Sequence, residues 1–345
     1  MSHRHPALAL VDHPAPAASP PTPPAATGVT VYGCTPDEAA LVRELAPALG
    51  VRPTLTPEPL SEANVALAHG NRCVSIDHRA PVASRTLVAL RRAGVEHLST
   101  RSIGLDHVDV ARARSIGLNV QNVTYAPDGV ADYTLMLILM LVRDARRIVR
   151  RVDAQDYRIV GGRHRELRDL TVGVVGTGRI GTAVVDRLRA FGCHVLAFDR
   201  RPTPGVPSVR LDQLLRASDV VTLHTSLTAD THHLLDRERL ALLKPGALLV
   251  NTGRGALVDT AALVDALESG RLGGAALDVL EGEERLFYAD HRADPGGGDP
   301  LHRLAGLPNV LVSPHTAYYT DRALRATVEQ SLLGCVQAET GVRRA

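Results

Sequence analysis

Tryptophan is absent, phenylalanine occurs three times, and Lys244 is the only lysine among 39 cationic residues. Arginine therefore carries nearly all the positive charge, a compositional habit rather than a functional device. Against 37 acidic residues the net charge is only +2, which gives no global field for holding nucleic acid or an anionic membrane. The four cysteines, Cys34, Cys73, Cys193 and Cys335, lie far apart and form neither a C-x-x-C nor a Cys/His cluster. A disulfide framework and a metal site are both unexpected, and reduced thiols fit a cytoplasmic protein. No long hydrophobic run exists either. The longest, Tyr133–Val142, sits between Asp132 and Arg143, too short to cross a bilayer and suited to a buried helix. The amino terminus lacks the basic-then-apolar pattern of a signal peptide.

What remains is an ordinary globular composition, 45% hydrophobic and 22% charged, over 345 residues. That length exceeds one comfortable core, so two domains are expected. Residues 1–27, rich in Pro and Ala, cannot bury enough surface to offset their ordering entropy and read as a disordered tail.

From Val29 the pattern alternates strands and helices. Strands are expected at Val29–Tyr32, Val74–Ile76 and Val95–Ser99, with helices at Pro36–Leu49 and Pro81–Ala93. One long helix is expected from Pro127 to Asp153, apolar first and Arg-rich after. Its arginine run lacks interleaved aromatics and reads as a solvated helix end rather than a nucleic-acid stripe. A second series places strands at Thr171–Val175, Val195–Phe198, Val220–His224, Ala247–Asn251, Ala275–Val279 and Val310–Ser313. Helices are expected between them at Ile180–Phe191, Leu211–Arg216, Arg237–Leu242 and Thr260–Ser269. Such alternation implies an α/β protein with parallel sheets, and six strands make a complete dinucleotide-binding domain.

The strongest motif is Gly176-Thr-Gly178-Arg179-Ile180-Gly181, between a strand and a helix. Gly176 permits the tight turn, Gly178 the approach of a pyrophosphate, and Gly181 close helix–strand packing. The helix amino terminus adds unpaired N–H groups and a positive dipole end. Asp199, eighteen residues after Gly181, ends the next strand and suits the adenosine ribose hydroxyls. Its charge favours NAD over NADP, although Arg200 and Arg201 could attract a 2′-phosphate.

Ligands of open α/β sheets gather at strand carboxyl ends. Those ends carry His224, then Asn251-Thr252-Gly253-Arg254, then Asp278 with Glu281 and Glu283, then Pro314-His315. A guanidinium, a carboxylate and an imidazole suit hydride transfer to a carbonyl. The guanidinium holds a substrate carboxylate bidentately and the imidazolium donates a proton, its charge favoured by a neighbouring carboxylate. Arg254 could instead cap its turn, and His224 is the rival acid, ranked here as a cofactor-pocket contact. His315 is one of fifteen histidines.

These motifs resemble the D-2-hydroxyacid dehydrogenase family, from Val29 to the carboxyl end. Within it, Val31-Tyr-Gly-Cys34, Thr100-Arg-Ser-Ile-Gly104, Gly253-Arg-Gly-Ala-Leu-Val-Asp-Thr260 and His315-Thr-Ala-Tyr-Tyr-Thr320 are similar to the VanH-type D-lactate dehydrogenases of glycopeptide resistance. The resemblance implies NADH-dependent reduction of pyruvate to D-lactate for D-Ala-D-Lac cell-wall precursors. Another D-2-hydroxy acid, such as glycerate or a branched-chain acid, and a non-enzymatic NADH-sensing module of the same fold are the alternatives. It also implies that Arg254 anchors substrate, Glu283 partners the imidazole and His315 is the general acid/base. Asp278 would tune the nicotinamide site, with Thr252 and His224 as further cofactor contacts. Ile103 and Gly104 would face the substrate carboxylate, and Tyr125 and Tyr318 would wall the pocket.

The same resemblance implies two Rossmann-like, flavodoxin-like domains, the cofactor domain (125–315) inserted into a substrate domain (28–124 plus 316–345). Two chain crossings make a hinge that closes on the ligand. A homodimer is implied as well, with the apolar helix from Pro127 as its contact.

Overall fold

The computed structural model describes residues 26–160, 162–201, 203, 205–292 and 300–341. Most of the expected tail, residues 1–25, lies outside the described residues, while Thr27 already opens the first strand.

The first series runs β1 (Thr27–Val31), α1 (Pro36–Leu49), β2 (Val51–Leu55), β3 (Cys73–Ile76), α2 (Ser84–Arg92), β4 (His97–Thr100), α3 (Val110–Ser115) and β5 (Asn119–Gln121). Its five strands are all parallel in the order β2-β1-β3-β4-β5. Local chemistry sets the boundaries of α1. Thr35 and Glu38 cap it reciprocally, Pro36 fits the first turn, and Gly50 ends it at φ 68°. The strand β2 was hidden in the sequence by Pro53, which cannot donate to a ladder. It is tolerated because β2 is an edge strand, paired only with β1.

The expected long helix is two helices, α4 (Asp128–Val142) and α5 (Ala145–Asp153). They part at Asp144, whose φ of 48° is left-handed and cannot continue a right-handed helix. Beyond them come β6 (Thr171–Val175), α6 (Arg179–Ala190), β7 (His194–Phe198), α7 (Leu211–Ala217), β8 (Val220–Leu223), α8 (Arg237–Leu242), β9 (Ala247–Asn251), α9 (Thr260–Glu268), β10 (Leu272–Leu277), α10 (Pro300–Gly306), β11 (Val310–Val312) and α11 (Asp321–Thr340). The second sheet is also wholly parallel, in the order β11-β10-β9-β8-β6-β7. A single parallel bridge, Ala197 to Ser208, extends it past β7.

The protein is thus two parallel-sheet α/β domains. Because both faces of each sheet are covered, the strands read as continuous apolar runs. Val172, Val174, Val184, Val185, Leu188 and Ile138 fuse β6, α6 and α4 into one core. The last helix, α11, packs back on α1, β1, β3 and β4 of the first sheet. Both chain reversals in sheet order, β1/β3 and β6/β8, place their strand carboxyl ends where ligands collect in such folds.

Candidate active site

The dinucleotide loop follows β6. Gly176 has a φ of 92°, and a Cβ there would meet the His224 carbonyl at 2.7 Å. A Cβ on Gly181 would lie 1.9 Å from the Gly176 oxygen, so α6 can approach β6 only without a side chain at that position. Gly178, the N-cap of α6, faces open space: a Cβ would have no neighbour within 4 Å. A cramped turn beside an unfilled helix amino terminus is what a pyrophosphate needs. We expect Gly181→Ala to force helix and strand apart, costing about 1–3 kcal/mol of stability. NADH affinity should fall with it. Unchanged denaturant midpoint and NADH titration would contradict this reading of the turn.

At the end of β7, Asp199 is already oriented. Its two oxygens accept from the backbone N–H groups of Thr177 (2.7 Å) and Arg201 (2.8 Å). Arg200 faces Asp230 across 3.7 Å on the surface. Arg179 donates to the Tyr125 carbonyl at 2.9 Å, joining α6 to the segment before α4. His224 is partly buried at the cavity wall, its Nε2 2.9 Å from the Thr222 hydroxyl, and desolvation pushes its pKa down to about 3. It is therefore a neutral ring at neutral pH. Thr252 shares a 2.9 Å hydrogen bond with Thr134 of α4.

After β9, Asn251 shapes the loop that carries Arg254, accepting from Gly253 N–H at 3.0 Å and donating to the Arg254 carbonyl at 2.8 Å. Gly255 lets this loop lie against the next one, since a Cβ would stand 2.0 Å from the Leu280 carbonyl carbon. The Arg254 guanidinium donates to Asp106 (2.8 Å) and to the Gly253 carbonyl (2.7 Å). Burial opposes the Asp106 charge, and Arg254 overcomes it, holding that carboxyl below its ordinary range. Gly104 is the other condition: a Cβ there would collide with Arg254 Nη2 at 1.7 Å. Ile103 is held beside it, its carbonyl accepting from Asn122 at 2.7 Å.

The acid–base pair is the tightest feature. His315 Nδ1 lies 2.6 Å from Glu283 Oε1, while Glu283 Oε2 accepts from Leu280 N–H at 2.8 Å. His315 adopts a left-handed φ of 49°, a conformation costing about 1–3 kcal/mol unless its surroundings enforce it. Asp278 enforces it. Fully buried, its carboxylate accepts from Ser313 Oγ (2.6 Å), Thr316 N–H (3.0 Å) and Ala317 N–H (2.9 Å). Its carbonyl takes the His315 N–H at 2.8 Å. Burial raises the Asp278 pKa against those donors. Asp278 thus pins the histidine loop, in addition to lining the cavity.

These groups share one cavity of ≈ 660 Å³. Gly178, Arg179, Ile180, His224 and Thr252 line it together with Ile103, Gly104, Arg254, His315 and Tyr318, and Tyr125 and Asp278 are among its walls. Gly176, Gly181, Asp199 and Glu283 are not part of that lining. Burial pushes Tyr125 up to about 12 and Tyr318 higher still, so both remain phenols. Glu281, the other carboxylate considered for the histidine, is 3.0 Å from His233 instead.

Three contributors were missed. His78, at the carboxyl end of β3, packs edge-on against His315 (centroids 4.9 Å) and Tyr318 (5.3 Å). Burial, then the neighbouring His315 and Arg254, keeps its pKa well below the ordinary imidazole value. Asp106 partners Arg254. Buried Arg101, at the end of β4, binds Glu38 at 2.7 Å and the Tyr32 carbonyl at 2.9 Å, fixing the start of the Ser102–Gly104 loop. Applying the strand-end rule to the first sheet as well as the second would have found His78 and Arg101.

Comparison with known proteins gives a consistent picture. Residues 135–317 match the family model described as the D-isomer specific 2-hydroxyacid dehydrogenase, NAD binding domain. The chain is 51% identical over 312 residues to a D-specific alpha-keto acid dehydrogenase of Enterococcus faecium, covering 90% of this chain and 97% of that one. It is 34% identical to a D-lactate dehydrogenase of Lactiplantibacillus plantarum over 81% of this chain and 86% of that one. Among solved structures, D-lactate dehydrogenase from Aquifex aeolicus, complexed with NAD and lactic acid, superposes with a TM-score of 0.83 at 31% identity, covering 91% of this chain and 96% of that one.

Proposed function

Because the chain belongs to the D-2-hydroxyacid dehydrogenase family and is an NAD-dependent dehydrogenase, we propose that it reduces pyruvate to D-lactate with NADH. One observation carries this reading. His315, paired with Glu283, and Arg254 line the same cavity as Gly178 and Arg179 of the dinucleotide loop. The loop fits the cofactor, since Gly178 leaves space at the amino terminus of α6.

Bound NADH supplies a hydride to the keto carbon. Arg254, steadied by Asp106, takes the substrate carboxylate and polarises the carbonyl, helped by backbone N–H groups around Ile103 and Gly104. His315 gives a proton to the carbonyl oxygen from Nε2, because Glu283 holds Nδ1. Hydride at carbon and proton at oxygen yield the alcohol. Tyr125 and Tyr318 bound the substrate, with His78 and Tyr318 against the acid favouring a small 2-keto acid. The rival is a bulkier one. A relative from Clostridium sporogenes, 32% identical, is an aromatic 2-oxoacid reductase. Comparing kcat/KM for pyruvate, hydroxypyruvate, branched-chain and aromatic 2-keto acids tests the reading, and a preference for any bulky acid over pyruvate overturns it. The non-catalytic NADH-sensing alternative would have no use for the acid–base pair.

Asp199 bears on cofactor choice. Asp199→Ala should raise the NADPH:NADH activity ratio about tenfold, the scale of one removed charge repulsion near a protein surface. A wild type that already prefers NADPH would show that Arg200 and Arg201 prevail.

The VanH-type resemblance further supports a role in the cytoplasm, supplying D-lactate to a ligase for D-Ala-D-Lac precursors. Among the described residues no helix is long and apolar enough to cross a membrane. Deleting the gene should remove D-lactate-ended precursors; their persistence would contradict the role. A homodimer also fits, its contact on the stretch from Pro127 that comprises α4 and α5, extended to the segment just beyond the carboxyl end of α5. On α5 and beyond it Ile148, Val149, Val152, Tyr157, Ile159 and Val160 are each exposed, an apolar content that a subunit contact would cover. Light scattering should give twice the chain mass, and a monomer would refute this.

A further inference from the structure

The turn after β8 and the loop after β10 bring together three side chains that the reaction does not use. His233 Nε2 lies 3.0 and 3.1 Å from the two oxygens of Glu281, and His232 Nε2 lies 3.6 Å from the first of them. All three donor positions fall within 4.8 Å of one another. Adjacent residues ordinarily point apart. Here His233 adopts a left-handed φ of 49°, and the two rings stack with centroids 4.0 Å apart and 29° between planes. Strained backbone of this kind persists only where the surroundings enforce it, and it clusters at functional sites.

We propose that His232, His233 and Glu281 bind a divalent transition ion of the Zn²⁺ class. Two imidazoles and a carboxylate form a recognised donor set for that ion, at bond lengths of about 2.0–2.2 Å, which place tetrahedral ligand atoms about 3.4 Å apart. The two histidine–carboxylate separations, 3.0–3.6 Å, bracket that spacing, and the two imidazole nitrogens lie within 4.8 Å of each other, so binding would require the stacked rings to turn toward a common point. A hydrogen bond explains why His233 faces Glu281, but the convergence of His232 on the same oxygen is what an ion would use.

The supports are built in. Thr260 Oγ1 donates to Glu281 Oε2 at 3.3 Å, as outer partners of ligating carboxylates do. His233 N–H donates to the Ala256 carbonyl at 2.8 Å, and Leu235 N–H to Leu257 at 2.9 Å. The turn is therefore tied to the loop of Arg254, while Glu281 lies two residues from Glu283. An ion here joins the two loops that carry those residues without entering the cavity. Three protein ligands leave a position for water, so the ion should exchange. Cysteine and histidine spacing gave no sign of it, since the carboxylate lies far along the chain.

The test uses untagged full-length protein titrated with Co²⁺ and then Zn²⁺, following visible absorption and calorimetry. One tight event per chain is expected, displaced by Zn²⁺, with a Zn²⁺-dependent rise in Tm. His232→Ala should weaken it at least about tenfold, the scale on which even outer partners act. Glu281→Gln should do the same. His232 is half exposed, so His232→Ala should keep metal-free NADH turnover, which shows that the variant is folded. His315→Gln should leave the event intact. A tight event that survives His232→Ala, one abolished by His315→Gln, or no event up to millimolar metal would each overturn the proposal.

Discussion

His315→Gln should lower pyruvate turnover by about 10²–10⁴-fold, the usual contribution of a positioned general acid, while NADH binding persists. The expectation rests on how fully the ring is constrained. Glu283 holds Nδ1, Asp278 takes the backbone N–H groups of His315, Thr316 and Ala317, and His78 and Tyr318 pack edge-on with the ring. Glutamine occupies similar volume and still hydrogen-bonds, yet it has no labile proton of suitable pKa. Single-turnover rates with pyruvate and fluorescence titration with NADH separate the two effects. Near-normal turnover would hand the proton to another group. His224 is a poor substitute, because burial keeps it neutral.

Arg254→Lys keeps the charge and loses the planar fork. Charge-assisted hydrogen bonds contribute roughly 1.5–3 kcal/mol each, so losing one should lower kcat/KM for pyruvate about 10–100-fold. NADH affinity should be unchanged. The guanidinium divides its donors among Asp106, the Gly253 carbonyl and the cavity, a geometry one ammonium cannot reproduce. If Tm moved while kcat/KM did not, Arg254 would be a structural member of the loop, and the carboxylate anchor would need reassignment.

Much of this arrangement was legible in the sequence, for physical reasons. The strands of the second sheet are buried on both faces, so they stand out as apolar runs between turn signals. The glycine loop was legible because each glycine answers a separate steric demand at Gly176 and Gly181. What the sequence hid was non-local. Nothing near Asp144 announces a left-handed residue, so two helices read as one. Pro53 disguised β2, since only the sheet order shows that it is an edge. The choice between Glu281 and Glu283 was open by spacing alone; the folded loop turns Glu283 to His315 and Glu281 to His233. His78 and Asp106 come from loops of the first sheet, more than a hundred residues from the groups they touch.

The most direct measurement offers NAD⁺ with D-lactate and with L-lactate in separate reactions and monitors NADH absorbance. The family and the Arg254–Glu283–His315 arrangement predict NADH formation with D-lactate and none with L-lactate, quenched in His315→Gln. Oxidation of the L-isomer, or of neither isomer by protein that binds NADH normally, would contradict the account.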